Sequence, residues 1–232
     1  MNNILKVTKY QLMDFKKAVI IYYLVILALG LIVLMAAPSG ESSFSGATFI
    51  FIFVLGLNSF KSSFKFMQAN NVSRKSYFWG NIGAIVAVSI FMSFADSLLE
   101  RIFTATFKYK GFYEQIYIYA SGEGMLAKLS WNVALLCFAT SVGFMITVLY
   151  YRASKIVKTL VSLIPAICLI LFGILTRKTN GASSEAMIDF IGKVLGLEGG
   201  QNPYIAVLSF IIAAIGILTL TYGLLFRAPI KE

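Results

Sequence analysis

The chain has 232 residues, 59% of them Ala, Val, Ile, Leu, Met, Phe, Trp, Tyr or Cys, and only 13% are charged. A soluble domain of this size must wet its surface with polar groups that this composition does not supply, so lipid is the solvent for most of the chain. The 20 Lys and Arg against 10 Asp and Glu leave a net charge of +10, which suits either nucleic acid or a membrane surface. The absence of His and of any GxxxxGK[ST] run excludes His-dependent catalysis, the usual zinc patterns and a phosphate-cradling loop.

The first element in chain order is the basic segment 4–17. On a helical wheel of about 100° per residue, Lys6, Lys9, Lys16 and Lys17 share one sector, with Ile4, Leu5, Leu12 and Phe15 opposite and Met13 as the exception. This is the pattern of a helix lying in the cytoplasmic interface. It is either a basic flank that fixes topology or an elbow leading straight into a first span.

A bilayer core of about 30 Å needs about 20 apolar residues at about 1.5 Å each. Six stretches qualify, at 18–37, 47–66, 77–95, 131–151, 157–175 and 204–226. The second is the weakest, because its uncharged part ends at Phe60 and it reaches full length only if Lys61 and Lys65 snorkel. Phe49, Phe53, Gly56, Phe60, Phe64 and Met67 form a stripe along it, with Asn58, Lys61, Ser62 and Lys65 roughly opposite. Such a stripe either packs on a neighbouring helix, which Gly56 lets approach closely, or lines a greasy path or a dimer contact.

Between spans two and three runs FKSSFKFMQANNVSRKSYFWGN. It is longer than a reversal of direction requires, which is about 2–8 residues, and it mixes Lys61, Lys65, Arg74 and Lys75 with Phe64, Phe66 and Met67. That composition suits a docking surface or the interfacial end of span two. Ser73 is placed to cap a new helix beginning at Arg74.

The segment 96–130 is rich in aromatics, among them Phe103, Phe107, Tyr109, Phe112, Tyr113, Tyr117 and Tyr119. It suits a position at the lipid–water boundary, or simply closes the helices. In 184–197, Met187, Ile188, Ile191, Val194 and Leu195 follow helical spacing, which predicts a short amphipathic helix on the outer leaflet. Pro203 stands where the last span begins, a position at which its missing N–H costs nothing.

Six spans put both termini on one side. The segments on that side hold Lys6, Lys9, Lys16, Lys17, Lys61, Lys65, Arg74, Lys75, Arg152, Lys155, Lys158, Arg227 and Lys231, against only Asp14 and Glu232. The opposite side holds Arg101, Lys108, Lys110, Lys128, Arg177, Lys178 and Lys193, against Glu41, Asp96, Glu100, Glu114, Glu123, Glu185, Asp189 and Glu198. The faces carry +11 and −1, so the positive-inside rule predicts cytoplasmic termini. The surplus is an orientation signal, and nucleic acid is not an expected partner. Of the polar groups near membrane depth (Asn58, Asn81, Asp96, Glu100, Arg101 and Asn132), the two acids follow the last apolar run and are expected at the outer surface. Cys137 and Cys168 lie in apolar runs and read as packing residues. No activated nucleophile or acid–base pair is visible, so the chain is not expected to be an enzyme, and it is read as a single all-α integral membrane domain spanning 1–232.

The basic segment before span one, the linker ending in Ser73-Arg74-Lys75 followed by Tyr77-Phe78, and the amphipathic stretch before span six together resemble the membrane subunit of an ABC-2 type ABC transporter. The resemblance covers nearly the whole chain. The small size and the Lys-rich, His-free composition look similar to Gram-positive subunits that export peptides, including the phenol-soluble modulin kind. The resemblance implies that Phe64 through Lys75 touch a separate ATPase, that ATP and Mg are bound there and no cofactor or metal by this chain, that a second permease subunit completes the pathway as a homodimer or heterodimer, and that spans two and five line its centre. The linker departs from many transporters in having no acid. Two other readings stay open: a substrate-binding membrane subunit for vitamin uptake, and a non-transporting immunity or scaffold protein.

Overall fold

A computed structural model describes residues 3–36, 43–106, 109–117, 124–179, 181–198 and 200–227. Of the groups named above, Ala37 at the end of the first expected span, the charges Glu41, Lys108, Glu123, Lys231 and Glu232, and the rings of Phe107 and Tyr119 lie outside the described residues. The described chain is all-helical: α1 (Asn3–Ala36), α2 (Ser45–Asn58), α3 (Lys61–Ala69), α4 (Arg74–Thr106), α5 (Phe112–Ile116), α6 (Met125–Arg152), α7 (Lys155–Lys178), α8 (Ala182–Val194) and α9 (Pro203–Phe226). Six helical stretches, beginning at Asn3, Ser45, Arg74, Met125, Lys155 and Pro203, are long and apolar enough to cross a membrane. The chain is a multi-pass membrane protein, as its composition requires.

The centre of the bundle is α6, which packs on α2, α4 and α9, while α1 lies along α4. Contact between α2 and α6 is made by backbone at Gly56 and Gly143, so the close approach expected at Gly56 occurs within this chain. Phe49 and Phe53 are half-buried against the same core, beside Ile52, Leu55, Met92 and Leu136. By contrast α7 rests chiefly on α8 and buries none of its described side chains. Cys168 is exposed on it and Cys137 is half-buried in α6; both are free thiols.

The helices add detail to the expected segments. The basic segment continues into the first span as one helix of 34 residues, because no Gly or Pro interrupts the chain between Asn3 and Gly30. Its inward face is Val7, Gln11, Phe15 and Val19, whereas Leu5 is exposed.

The second span is broken. Helix α2 stops at Asn58 after 14 residues, and α3 starts at Lys61. Asn58 Nδ2 donates to Val54 O and Ser59 Oγ to Gly56 O, so side chains take up carbonyls at the point where the backbone departs from the helix.

The third span runs on past 95 to Thr106. Asp96 and Glu100 remain in the helix because each finds a partner there: Tyr23 Oη donates to Asp96 Oδ1 at 2.9 Å, and Lys128 Nζ lies 2.7 Å from Glu100 Oε1.

The described part of the aromatic segment folds inward over the end of the bundle, in keeping with the reading in which it closes the helices. Tyr109, Tyr113 and Tyr117 are buried. The rings of Tyr113 and Tyr117 stand edge-on to Trp131, and Tyr117 Oη donates to Leu195 O at 2.6 Å. The ring edges and the Tyr117 phenol find partners there.

Other expectations hold. Ser76 N donates to Ser73 Oγ at 3.1 Å, so Ser73 caps the helix that begins at Arg74. Residues 182–194 form the expected short helix, with Met187, Ile188, Phe190 and Ile191 exposed. Pro203 opens α9, whose Asn202 cap accepts from Tyr204 N.

Candidate functional site

The N-termini of α1 and α4, the short helix α3, and the C-termini of α6 and α9 meet at one end of the bundle. Val7 of α1 sits against Gly80 of α4, and Thr8 Oγ1 donates to Gly80 O at 3.0 Å. The Arg74 guanidinium donates to Phe226 O, at the C-terminal, electronegative end of α9. Tyr151, near the end of α6, stacks edge-on to Phe60 and Phe64 with centroids 5.2 and 5.9 Å apart. The basic residues of these segments therefore gather at one end, while Asp96, Glu100 and Glu114 belong to the other.

A buried polar node holds this end together. Gln11 Nε2 lies 2.7 Å from Ser59 O, 3.0 Å from Ser63 Oγ and 2.9 Å from Asn81 Oδ1, so two hydrogens serve three acceptors. Ser63 Oγ and Tyr77 Oη are 2.8 Å apart, and Tyr77 Oη also approaches Ser59 O and Phe60 O at 3.2 and 3.3 Å. The carbonyls released by the α2–α3 break are thus satisfied by side chains from α1, α3 and α4, as unpaired backbone within a membrane protein demands. Gln11 Oε1 and Asn81 Nδ2 are buried with no partner among the described residues. The node joins the N-terminal helix, the break and the linker in one hydrogen-bonded unit.

The linker residues expected to dock a partner divide into two sets. Phe64 and Met67 are buried, packed with Phe60, Tyr77, Phe144 and Val148, and are not available to another protein. Their burial follows from the break: α3 is amphipathic by itself and turns its apolar face onto α4 and α6. The outer set comprises Lys61, Ser62 and Phe66, all exposed, followed by exposed Ser73 and Lys75 and half-buried Arg74. The Phe66 ring stacks on Tyr10 of α1 at 5.0 Å. Lys6, Lys9, Lys16 and Lys17 are exposed along α1. Of the residues expected to line a pathway or a dimer contact, Gly56 and Phe60 are buried in the intrachain core, and Asn58 is exposed, its amide engaged by its own helix.

At the opposite end Lys128 bridges Glu100 and Glu114, at 2.7 and 2.9 Å, and Gly111 N donates to Glu100 Oε1. Beside them Thr48, Asp96, Glu100 and Asn132 contribute to the wall of a small cavity of about 30 Å³, room for one or two waters. Burial raises the Tyr109 phenol from its ordinary value, and its hydrogen bond with Ser45 opposes that shift. Among the described residues no group of three His, Cys, Asp or Glu is arranged to hold a metal.

Residue patterns point at Asn81, and at Tyr77 as part of the linker motif, but not at Gln11, Ser59 or Ser63. The available signal was Gln11 itself, an amide one helical turn from both Val7 and Phe15. No family model, curated protein or solved structure matches the chain.

Proposed function

We propose that the chain is the membrane-spanning permease subunit of an ATP-driven exporter of the ABC-2 kind, moving a hydrophobic or amphipathic substrate such as a peptide or drug. It works with a separate ATPase subunit that binds ATP and Mg, and with a second permease subunit. Both termini lie on the cytoplasmic side of a bacterial plasma membrane, the positive-inside rule applied to the basic end.

The observation that carries this reading is the wiring of the linker. Helix α3 is anchored on its inner face by Phe64 and Met67 and joined to α1 and α4 through Gln11, Ser63 and Tyr77. Its outer face presents Lys61, Ser62 and Phe66, with Lys75 beyond. A force applied to that face by an ATPase reaches three transmembrane helices through packed side chains and hydrogen bonds, which is what alternating access requires of a coupling element.

The test is co-purification of the full-length chain with any ABC ATPase encoded in its gene neighbourhood. The expected result is a stable complex that K61E/K75E and F66A weaken without unfolding the permease. An ATPase that never associates overturns the proposal, and tight vitamin binding by the isolated chain favours the uptake reading instead.

A further inference from the structure

Along the outside of the bundle, α1 and α4 enclose an apolar groove of about 640 Å³. Buried Val19 and Val88 form part of its floor, and Leu24, Leu27 and Phe91 stand along its walls. Tyr23 lends only its ring, since its hydroxyl is turned inward to Met92 O and Asp96. Near its basic end the groove passes Lys16, the one charged residue in its lining, with Phe15 and Leu12 beyond it.

From Lys16 to Leu27 the helix rises about 16 Å, which is close to half of a bilayer core of about 30 Å. The stretch of the groove from Lys16 to Leu27 therefore has the length of one leaflet's hydrocarbon, with a cation where that leaflet's headgroups begin and the turn from Leu12 to Phe15 beyond it. Lys16 is exposed, and among the described residues no carboxylate lies within ion-pair distance of it. Its neighbour Lys17 is also exposed but does not line the groove.

We propose that this groove is a binding site for one acyl chain of an anionic phospholipid, whose phosphate is held by Lys16. A zwitterionic lipid fills the same groove but brings its own cation close to the lysine, so selectivity lies in the headgroup and retention in the chain. The leaflet, which is the cytoplasmic one, rests on the orientation proposed above; the preference for an anionic lipid does not.

The test is native mass spectrometry of the full-length chain in detergent, titrated with phosphatidylglycerol or phosphatidylcholine of identical acyl chains. One lysine near an anionic headgroup corresponds to about a fivefold preference for phosphatidylglycerol in the first binding event. K16Q, a change at an exposed position that leaves the fold intact, is expected to bring the ratio to about one while phosphatidylcholine binding is unchanged. K17Q is expected to retain the preference, and A87W, which fills the groove, to weaken both lipids. Equal binding of the two lipids by the unmodified protein overturns the proposal. So does a K17Q effect as large as that of K16Q, which reports general surface charge, or A87W binding that matches the unmodified chain. Failure of ATPase association leaves every one of these readouts unaffected, so the two proposals fail separately.

Discussion

Gly56 of α2 and Gly143 of α6 are in backbone contact: a Cβ on Gly56 would stand 2.4 Å from Thr140 O, and one on Gly143 would stand 2.3 Å from Phe53 O. Both obstacles are main chain and cannot rotate away. Each Gly→Ala change is therefore expected to separate the helices and lower stability by about 1–3 kcal/mol. Gly216→Ala in α9, where a Cβ meets nothing within 4 Å, is the control and is expected to be neutral or slightly stabilising. Thermal unfolding of the purified protein in detergent distinguishes the three; equal behaviour would exclude the crossing.

The polar node makes a prediction of a different form. Gln11→Leu leaves buried Asn81 Oδ1 without its donor, while Ser59 O and Ser63 keep their bonds to each other and to Tyr77, and it is expected to cost about 1–3 kcal/mol. Asn81→Leu removes an acceptor as well as an unpartnered donor and is expected to cost less. The double variant is expected to be less destabilised than the sum of the two, with a coupling of about 1 kcal/mol, because Asn81 Oδ1, which Gln11→Leu leaves without its donor, is absent from the double variant. Strict additivity in a denaturation series would show that the two amides do not interact.

At the other end, Glu100 is buried and depends on Lys128, whereas Glu114 is half-exposed. Lys128→Met is expected to destabilise by about 3 kcal/mol, since it leaves a buried carboxylate without its cation. Glu114→Gln is expected to change stability by less than about 1 kcal/mol. Adding Glu100→Gln to Lys128→Met is expected to restore most of the loss. Absence of that rescue in thermal unfolding would move the cost to some other role of Lys128.

Topology is open to direct labelling. In a C137A/C168A background, Arg177→Cys at the far end of α7 is expected to react with a membrane-impermeant maleimide in intact cells. Lys61→Cys is expected to react only after permeabilisation. Both positions are exposed, so failure to label reflects the membrane and not burial. The reverse pattern inverts the orientation and, with it, the leaflet assigned to the lipid groove.

The number and rough extent of the spans were legible in residue order alone. A helix in lipid must be apolar all round, and composition reports that without reference to neighbours. The Ser73 cap and the Pro203 start were legible for a similar reason, being local hydrogen-bond and φ constraints at helix ends. Charge order likewise sorted the two ends of the bundle before any contact was known.

Residue order left the inward face of each helix undetermined. In water a wheel separates core from solvent, but here lipid and core are both apolar, so the stripe from Phe49 to Met67 has the same pattern whether it faces lipid, a partner or α6. Packing turned Phe64 and Met67 inward, and the Gly56–Gly143 crossing brought α2 onto α6. The end of the uncharged run at Phe60 marks the weak point of span two, but not the break itself, which is tolerable only where Gln11 and Tyr77, 48 and 18 residues away from Ser59 along the chain, reach the freed carbonyls. Such long-range satisfaction of backbone groups is a property of the assembled bundle, and no local pattern encodes it.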